Sequence, residues 1–439
     1  MNNFFKAILI FVFISACSIP EKAKFWSKKN IITEENTYLE EITKQQQIFK
    51  EEEALNLEFN PKLRVNLGEN IIKKSFLNYF HNNDGRINYD NDLKNISKFK
   101  FSKIKKFYDY DPKISFHKND IIFFDNNGTI LKFDTNSNLI WEKNNYSKSE
   151  KKQNPILFFA NNNTYLIVAD NISKYYALDI NTGELLWTKN NTAPFNSQIK
   201  IYKDKFFVID FENTLKAYST KDGKKIWEIR TDNSLIRSQK KLSLVIIDKK
   251  VYFNNSLGDI SAVDIETGEL IWQRPTQSSL IADGGFLLKN SDIITDKKNL
   301  YFSNNKNQFF SLDVKTGILN WTQKINSNLR PILIDNYLFT VTLEGYFIII
   351  EKNSGNIIRI NDVFKNFKQS KRKDIKPMGF IVGNKNIYLT TNHGKLLLID
   401  IATGVTKSII KIDKQKISSP SVLNKNLFII TDKSIIKLN

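Results

Sequence analysis

The chain predicts an all-β fold, an eight-bladed β-propeller of four-stranded antiparallel blades whose last blade is closed by an N-terminal strand. Three observations lead there: an internal repeat, its spacing, and an incomplete final copy. Residues 177–187 read Ala-Leu-Asp-Ile-Asn-Thr-Gly-Glu-Leu-Leu-Trp, and the pattern returns at 262–272 and 311–321. Weaker copies lie at 217–227 with Gly223, at 133–141 with Asn138 in the glycine place, at 350–359 with Gly355 and at 398–408 with Gly404. These seven markers are 38 to 49 residues apart, the period of propeller blades rather than of helical solenoids.

Each element follows from its residues. Asp-x-x-Thr-Gly is a tight turn in which the carboxylate bonds nearby backbone N–H groups and the glycine takes φ > 0 in a bulged hairpin. Gly183, Gly223, Gly268, Gly317, Gly355 and Gly404 fill that role, and Asn138 is the natural substitute in the first copy. Upstream lie β-branched and aromatic runs such as Val251-Tyr252-Phe253 and Leu300-Tyr301-Phe302; downstream comes a Leu-x-Trp strand. Trp187, Trp227, Trp272 and Trp321 stand four residues after the glycine and Trp141 three after Asn138. An indole present once per blade suits packing of blade on blade better than stacking of a planar ligand. After Gly404 only 35 residues remain, enough for about three short strands and no further turn of this type. The open edge needs a partner. Residues 99–104, Phe-Lys-Phe-Ser-Lys-Ile, supply it by alternation, with Phe101 in the place of the tryptophan.

The ends have a different character. Residues 1–16 read as a secretory signal: Lys6, then an apolar stretch over 7–14 too short to span a bilayer. Residues 17–60 are polar and charged, a tether with too little apolar surface for a core, with room for a helical turn or two around 38–55. Residues 61–439 form one propeller domain. Lys and Arg total 65 against 46 acids, a net charge of +19, but all except eight of the basic residues are Lys scattered with Asn and Ile. Without an Arg cluster or a basic-aromatic stripe, nucleic acid is not expected as a partner; the charge suits anionic membrane surfaces or acidic proteins. Lys371-Arg372-Lys373 reads as a solvated loop.

The chemistry is sparse. His81, His117 and His393 are the only histidines and lie far apart, so no metal site is expected. Neither a Gly-x-Ser-x-Gly elbow nor a phosphate-cradling Gly-x-x-x-x-Gly-Lys occurs. Asp134, Asp179, Asp264, Asp313 and Asp400 belong to the turns. No catalytic residue and no cofactor are expected.

Two resemblances add to this reading. Ile14-Ser15-Ala16-Cys17 resembles a bacterial lipobox, which implies lipidation of Cys17, the single cysteine of the chain, and Ser18 resembles the pattern of lipoproteins sent to the outer membrane. The Ala-x-Asp-x-x-Thr-Gly-x-x-x-Trp copies resemble the repeat of pyrroloquinoline-quinone dehydrogenases and of their non-enzymatic relatives, and eight blades behind a lipobox resemble the BamB family. That resemblance covers roughly residues 95–439. It implies a non-catalytic scaffold in outer-membrane β-barrel assembly, gripping the periplasmic POTRA domains of a BamA-like protein beside other subunits of the machinery. The family's partner loop lies between the third and fourth blades, which implies a contact through Leu235, Ile236 and Arg237. The alternative reading for these three is a strand edge entering blade four. A second family loop, acidic, corresponds to 286–292 here and has largely lost its acids. The competing reading of the whole chain is a membrane-tethered quinoprotein dehydrogenase, although the adjacent cysteine pair carried by many of those enzymes is missing. A third, a glycan-binding propeller, would need exposed aromatics at the ring mouth.

Overall fold

In most blades the second strand is an apolar run rather than an alternation. Val251, Tyr252 and Phe253 in Lys250–Asn254 are all buried, as are Leu300, Tyr301 and Phe302 in Asn299–Asn304. Such strands belong to sheets covered on both faces. The outermost strand of the second blade, Leu185–Asn190, alternates instead between exposed and half-buried residues. The computed structural model describes residues 57–439 apart from 69–70, 73–84, 92, 94–95, 108, 233–236 and 278–287. Its strands form eight sheets, seven with four strands and one with six, all arranged around one axis.

We call the strands of each blade A to D from the axis outward. Blade one is Ser115–His117, Asp120–Phe124, Ile130–Phe133 and Leu139–Lys143. Blades two to seven begin at Leu157, Lys200, Leu244, Ile294, Ile332 and Pro377. The A strands of neighbouring blades one to four touch one another, as do those of blades five and six, which places them around the axis. Because successive strands run antiparallel, the A–B and C–D turns share one face of the ring. The B–C turns and the connectors from one blade to the next share the other.

Blade eight combines Ser421–Leu423, Asn426–Ile430 and Ser434–Leu438 with Ile96–Lys100, which pairs antiparallel with the last strand, Ile96 opposite Leu438 and Lys100 opposite Ser434. The closing strand is therefore contributed from the N-terminal side, but three residues earlier than 99–104. Its register puts Ser97 opposite Lys437, in the tryptophan place. Phe101 lies beyond the strand, its ring 5.0 Å from that of Phe123. Phe99 carries the packing instead, buried between Phe133 of blade one and Phe428 of blade eight.

The C–D turns have the geometry their residues dictate. The Asp179 carboxylate accepts from the N–H groups of Asn181 and Thr182 at 2.8 and 2.9 Å, Gly183 (φ +74°) donates to the Asp179 carbonyl at 2.8 Å, and a bulge follows Ala177. In the first copy the expectation for Asn138 is corrected. Ser137, not Asn138, has positive φ (+72°), because this turn is one residue shorter, closing from Asp134 N–H to the Asn138 carbonyl. Counted from Ser137, Trp141 regains the spacing of the other tryptophans.

The N-terminal flank forms a strap that no sequence pattern announced. Phe59 exchanges two backbone hydrogen bonds with Ile360 on the outer strand of blade six, and Val65 N–H reaches the Ala402 carbonyl in the C–D turn of blade seven. Among the described residues, contact with the ring thus begins by Glu58, whose carboxylate accepts from the Asp362 N–H at 3.0 Å, just inside the span assigned to the tether. Ile71–Ile72 and Arg86–Ile87 then add two short parallel strands on the axis side of blade seven's A strand, Pro377–Val382. The Arg86 guanidinium ties them down, donating to the carbonyls of Gly68 (2.7 Å), Gly383 and Asn384. The helical turns expected around 38–55 lie outside the described residues.

Candidate functional site

The repeated tryptophans sit at the joints between blades. A Cβ added to Gly183, Gly223, Gly268, Gly317 or Gly355 would fall 2.5 to 2.9 Å from Trp141, Trp187, Trp227, Trp272 or Trp321 of the preceding blade. Only a glycine lets the indole lie so close to the turn. Trp187, Trp227, Trp272 and Trp321 also donate their indole N–H to one particular carbonyl of the next blade, that of the residue following the turn's acidic position: Thr220, Ile265, Val314 and Lys352, at 2.9 to 3.2 Å. Where no indole makes this bond, another donor reaches the corresponding oxygen. Lys132 Nζ takes the Ile180 carbonyl at 3.1 Å, leaving the Trp141 N–H without a partner; Lys437 Nζ takes Thr135 at 2.9 Å; and Arg359, four residues after Gly355, takes Ile401 at 2.8 Å. A buried carbonyl needs a donor, and the ring supplies one at each of these joints. Gly404 meets Asn361 of blade six rather than an indole.

Arg359 is among the largest fully buried side chains, and it also donates to the carbonyls of Leu63 and Ala402. It therefore fastens the strap to the joint of blades six and seven.

Of the sequence-predicted partner residues, Leu235 and Ile236 lie outside the described residues, as does Cys17. Arg237 is half-buried on the connector from blade three to blade four. Immediately after it the backbone is pinned: Ser238 N–H donates to the Ser256 hydroxyl, and the Ser238 carbonyl accepts from Asn196 Nδ2. The connector lies on the same face as the B–C turns. Arg372, read as part of a solvated loop, pairs with Asp362 at 2.7 Å. His117 is buried, its Nδ1 3.5 Å from Lys132 Nζ, and His393 is exposed in a B–C turn.

The same connectors bring charge to the axis. A cavity of about 430 Å³ is lined by Lys113 ahead of blade one, Lys240 and Lys241 ahead of blade four, Lys289 and Asp292 ahead of blade five, and Arg330 ahead of blade six. Lys376, Lys416, Asp109 and Asp111 complete its charged wall, with Phe158, Phe380 and Met378 as apolar neighbours. Lys113 pairs with Asp111 at 2.5 Å and donates to the Ser419 hydroxyl; Lys240 donates to the Asn328 carbonyl and Lys416 to that of Tyr110. Burial raises the Asp292 carboxyl, but Lys240, Lys241 and Arg330 outweigh it and hold it below the usual carboxylate range. Burial pushes Lys240 down to about 8, against the pull of Asp292 and Asp111, and lowers Lys241 with help from Lys113. These residues were missed in sequence because each lysine reads alone as a solvated surface residue. The available signal was positional: each stands a few residues before an A strand. Among the described residues no group of three or more His, Cys, Asp or Glu could hold a metal ion, and no helix is long and apolar enough to cross a membrane.

The family model described as outer membrane protein assembly factor BamB matches residues 126–361. The structure of BamB from Moraxella catarrhalis superposes with a TM-score of 0.63 at 16% identity, over 78% of this chain and 100% of that one. Quinohemoprotein alcohol dehydrogenase from Comamonas testosteroni gives 0.58 at 10% identity, over 80% and 78%, and the computationally designed Ika8 protein 0.56 at 13%, over 77% and 99%. At these identities the structural likenesses show the fold. No curated protein matches the chain in sequence.

Proposed function

The chain belongs to the family of the outer membrane protein assembly factor BamB, and from that premise we propose that it is a non-catalytic scaffold of β-barrel assembly at the periplasmic face of the outer membrane. Cys17 carries the lipid anchor, the residues between it and Glu58 the tether, and the ring holds the POTRA domains of a BamA-like protein in orientation. The observation that carries the partner reading is the connector between blades three and four. It places Arg237 directly before the pinned Ser238, so a contact made there rests on a fixed backbone. An arginine beside apolar neighbours suits the centre of an interface. The absence of an adjacent cysteine pair from the sequence and the engagement of the channel carboxylates Asp111 and Asp292 with lysines favour a scaffold over a quinoprotein enzyme.

Arg237→Ala and Leu235→Ala are expected to weaken binding of the purified BamA-type periplasmic domain by about 2 kcal/mol or more, as truncation of hot-spot residues does, with the melting temperature nearly unchanged. Unaltered affinity in a stably folded Arg237→Ala protein would overturn the assignment. A fall in melting temperature that matches the loss of binding would return Leu235 to the core of blade four.

A further inference from the structure

We propose that the axial cavity binds a small polyanion, a molecule carrying two or more phosphate or carboxylate groups, clamped between Lys113 and Lys416 on one side of the ring and Lys240, Lys241 and Arg330 on the other. The site is independent of the partner surface proposed above. Its first support is convergence. Blades eight and one lie across the ring from blade four, so their cations reach one cavity from opposite directions, along connectors far apart in sequence. Its second is size: about 430 Å³ falls within the ~300–1,000 Å³ of small-molecule pockets.

The third is charge. Cations outnumber the carboxylates Asp109, Asp111 and Asp292 on the cavity wall, and grouping like charges in a confined space is costly unless a counter-charge is present. The bond made by Lys240 to the Asn328 carbonyl needs only a neutral donor. Its ammonium charge is therefore more than the framework requires. Lys241 makes this plainest: among the described residues it has neither a hydrogen bond nor an ion pair, and Asp292 and Asp111 act on it only through space. Lysine ammonium groups on flexible stems, with one guanidinium among them, match the oxygen clusters of phosphates and carboxylates. Burial lowers Lys240 to about 8, so a bound anion would draw its proton more tightly and affinity should fall as pH rises from 7 to 9.

The test titrates the full chain with pyrophosphate and with citrate by calorimetry and thermal shift, at fixed ionic strength. One-to-one saturable binding is expected for at least one of them, with about tenfold weaker binding in Lys241→Met and Lys241→Gln and none of that loss in Lys221→Met, a change on the opposite face. Without ligand, Lys241→Met should melt at or above the wild-type temperature, because like-charge crowding is relieved; with saturating ligand it should melt below it. Which of the two probes binds distinguishes phosphate from carboxylate chemistry. Absence of saturable binding by both probes at millimolar concentration would overturn the proposal, as would equal losses in the Lys241 and Lys221 variants. Tighter binding of an oligoglutamate peptide than of either probe would reassign the cavity to an acidic chain.

Discussion

From blade two to blade six each joint is an indole lying on a glycine, whereas from blade six through the closing blade to blade two it is more often an arginine or lysine reaching the corresponding carbonyl. The two arcs meet the same demand, an orphan C=O behind each C–D turn, under different steric conditions. In the first arc the turn glycine leaves a flat bed and tryptophan fills it. In the second, the strap crosses blade six and its neighbour, and Asn361 already occupies the space over Gly404. A guanidinium is thin enough to pass and has donors to spare, so Arg359 serves the joint and the strap together. The acceptor position is the invariant of this ring, and the donor adapts to what surrounds it.

The largest effect should come from breaking the second arc at its seam. Deleting residues 434–439 removes the strand to which Ile96–Lys100 pairs, so the truncated chain should lose its cooperative unfolding transition and its resistance to limited proteolysis. A truncated protein as resistant as the full chain would show that the seam is dispensable.

Next comes a direct contest between the two kinds of joint. Arg359→Ala strips donors from three carbonyls and leaves a cavity, at a cost of about 4 kcal/mol. Trp272→Ala, at a half-buried site, should cost about 3 kcal/mol. Denaturant unfolding measures both, and the order matters: a larger loss for Trp272→Ala would mean that the strap contributes little. Arg359→Trp, which imports the joint of the other arc, should restore the bond to Ile401, lose the one to Leu63, and expose residues 57–67 to proteolysis before the ring melts.

The smallest effect concerns two blades within the first arc. Asp170 and Asp210 occupy the same B–C turn position, but Asp210 pairs with Lys216 at 3.1 Å, whereas Asp170 takes the Tyr146 hydroxyl at 2.5 Å. Burial pushes the Asp170 carboxyl up to about 6, with the Tyr146 bond opposing. A folded value above the unfolded one favours folding at pH below about 4, and that contribution is lost as pH rises through 6. Asp170→Asn removes the slope. The variant should therefore gain on wild type by on the order of 2 kcal/mol between pH 4 and pH 7, read as the difference in melting temperature. A constant difference over that range would place the Asp170 titration elsewhere.

Much of the ring was legible in the sequence because turn chemistry is local. Positive φ at a fixed place needs Gly, and the repeat recurs wherever that need does, so the blade number and the origin of the closing strand could be read from Gly183 to Gly404. The register of that strand could not, since Phe99 and Phe101 alternate with the same period and only the partner decides which is buried. Ser137 was missed because one deleted residue shifts the positive φ without changing the composition of the turn. Lys132, Lys437 and Arg359 were hidden for another reason: a long basic side chain gives no sign of burial until the carbonyl it reaches is known, and that carbonyl lies a blade away. The axial lysines share that difficulty several times over. The residues expected to touch the partner rest on resemblance, and only Arg237 of them lies among the described residues.

Blade eight joins two segments far apart in the chain, Ile96–Lys100 and Ser434–Leu438. Contacts of such sequence separation form slowly, since a very long loop must close before they reward the chain. The ribosome releases Ile96–Lys100 long before its partner Ser434–Leu438, so while the intervening blades are made this strand is an unpaired edge with a neighbour that does not yet exist. A prematurely terminated chain can build its complete inner blades but never the seam. Closure of the ring thus reports that synthesis has passed Leu438, and a product interrupted before that point should remain open, sticky at both edges, and easily recognised by proteases.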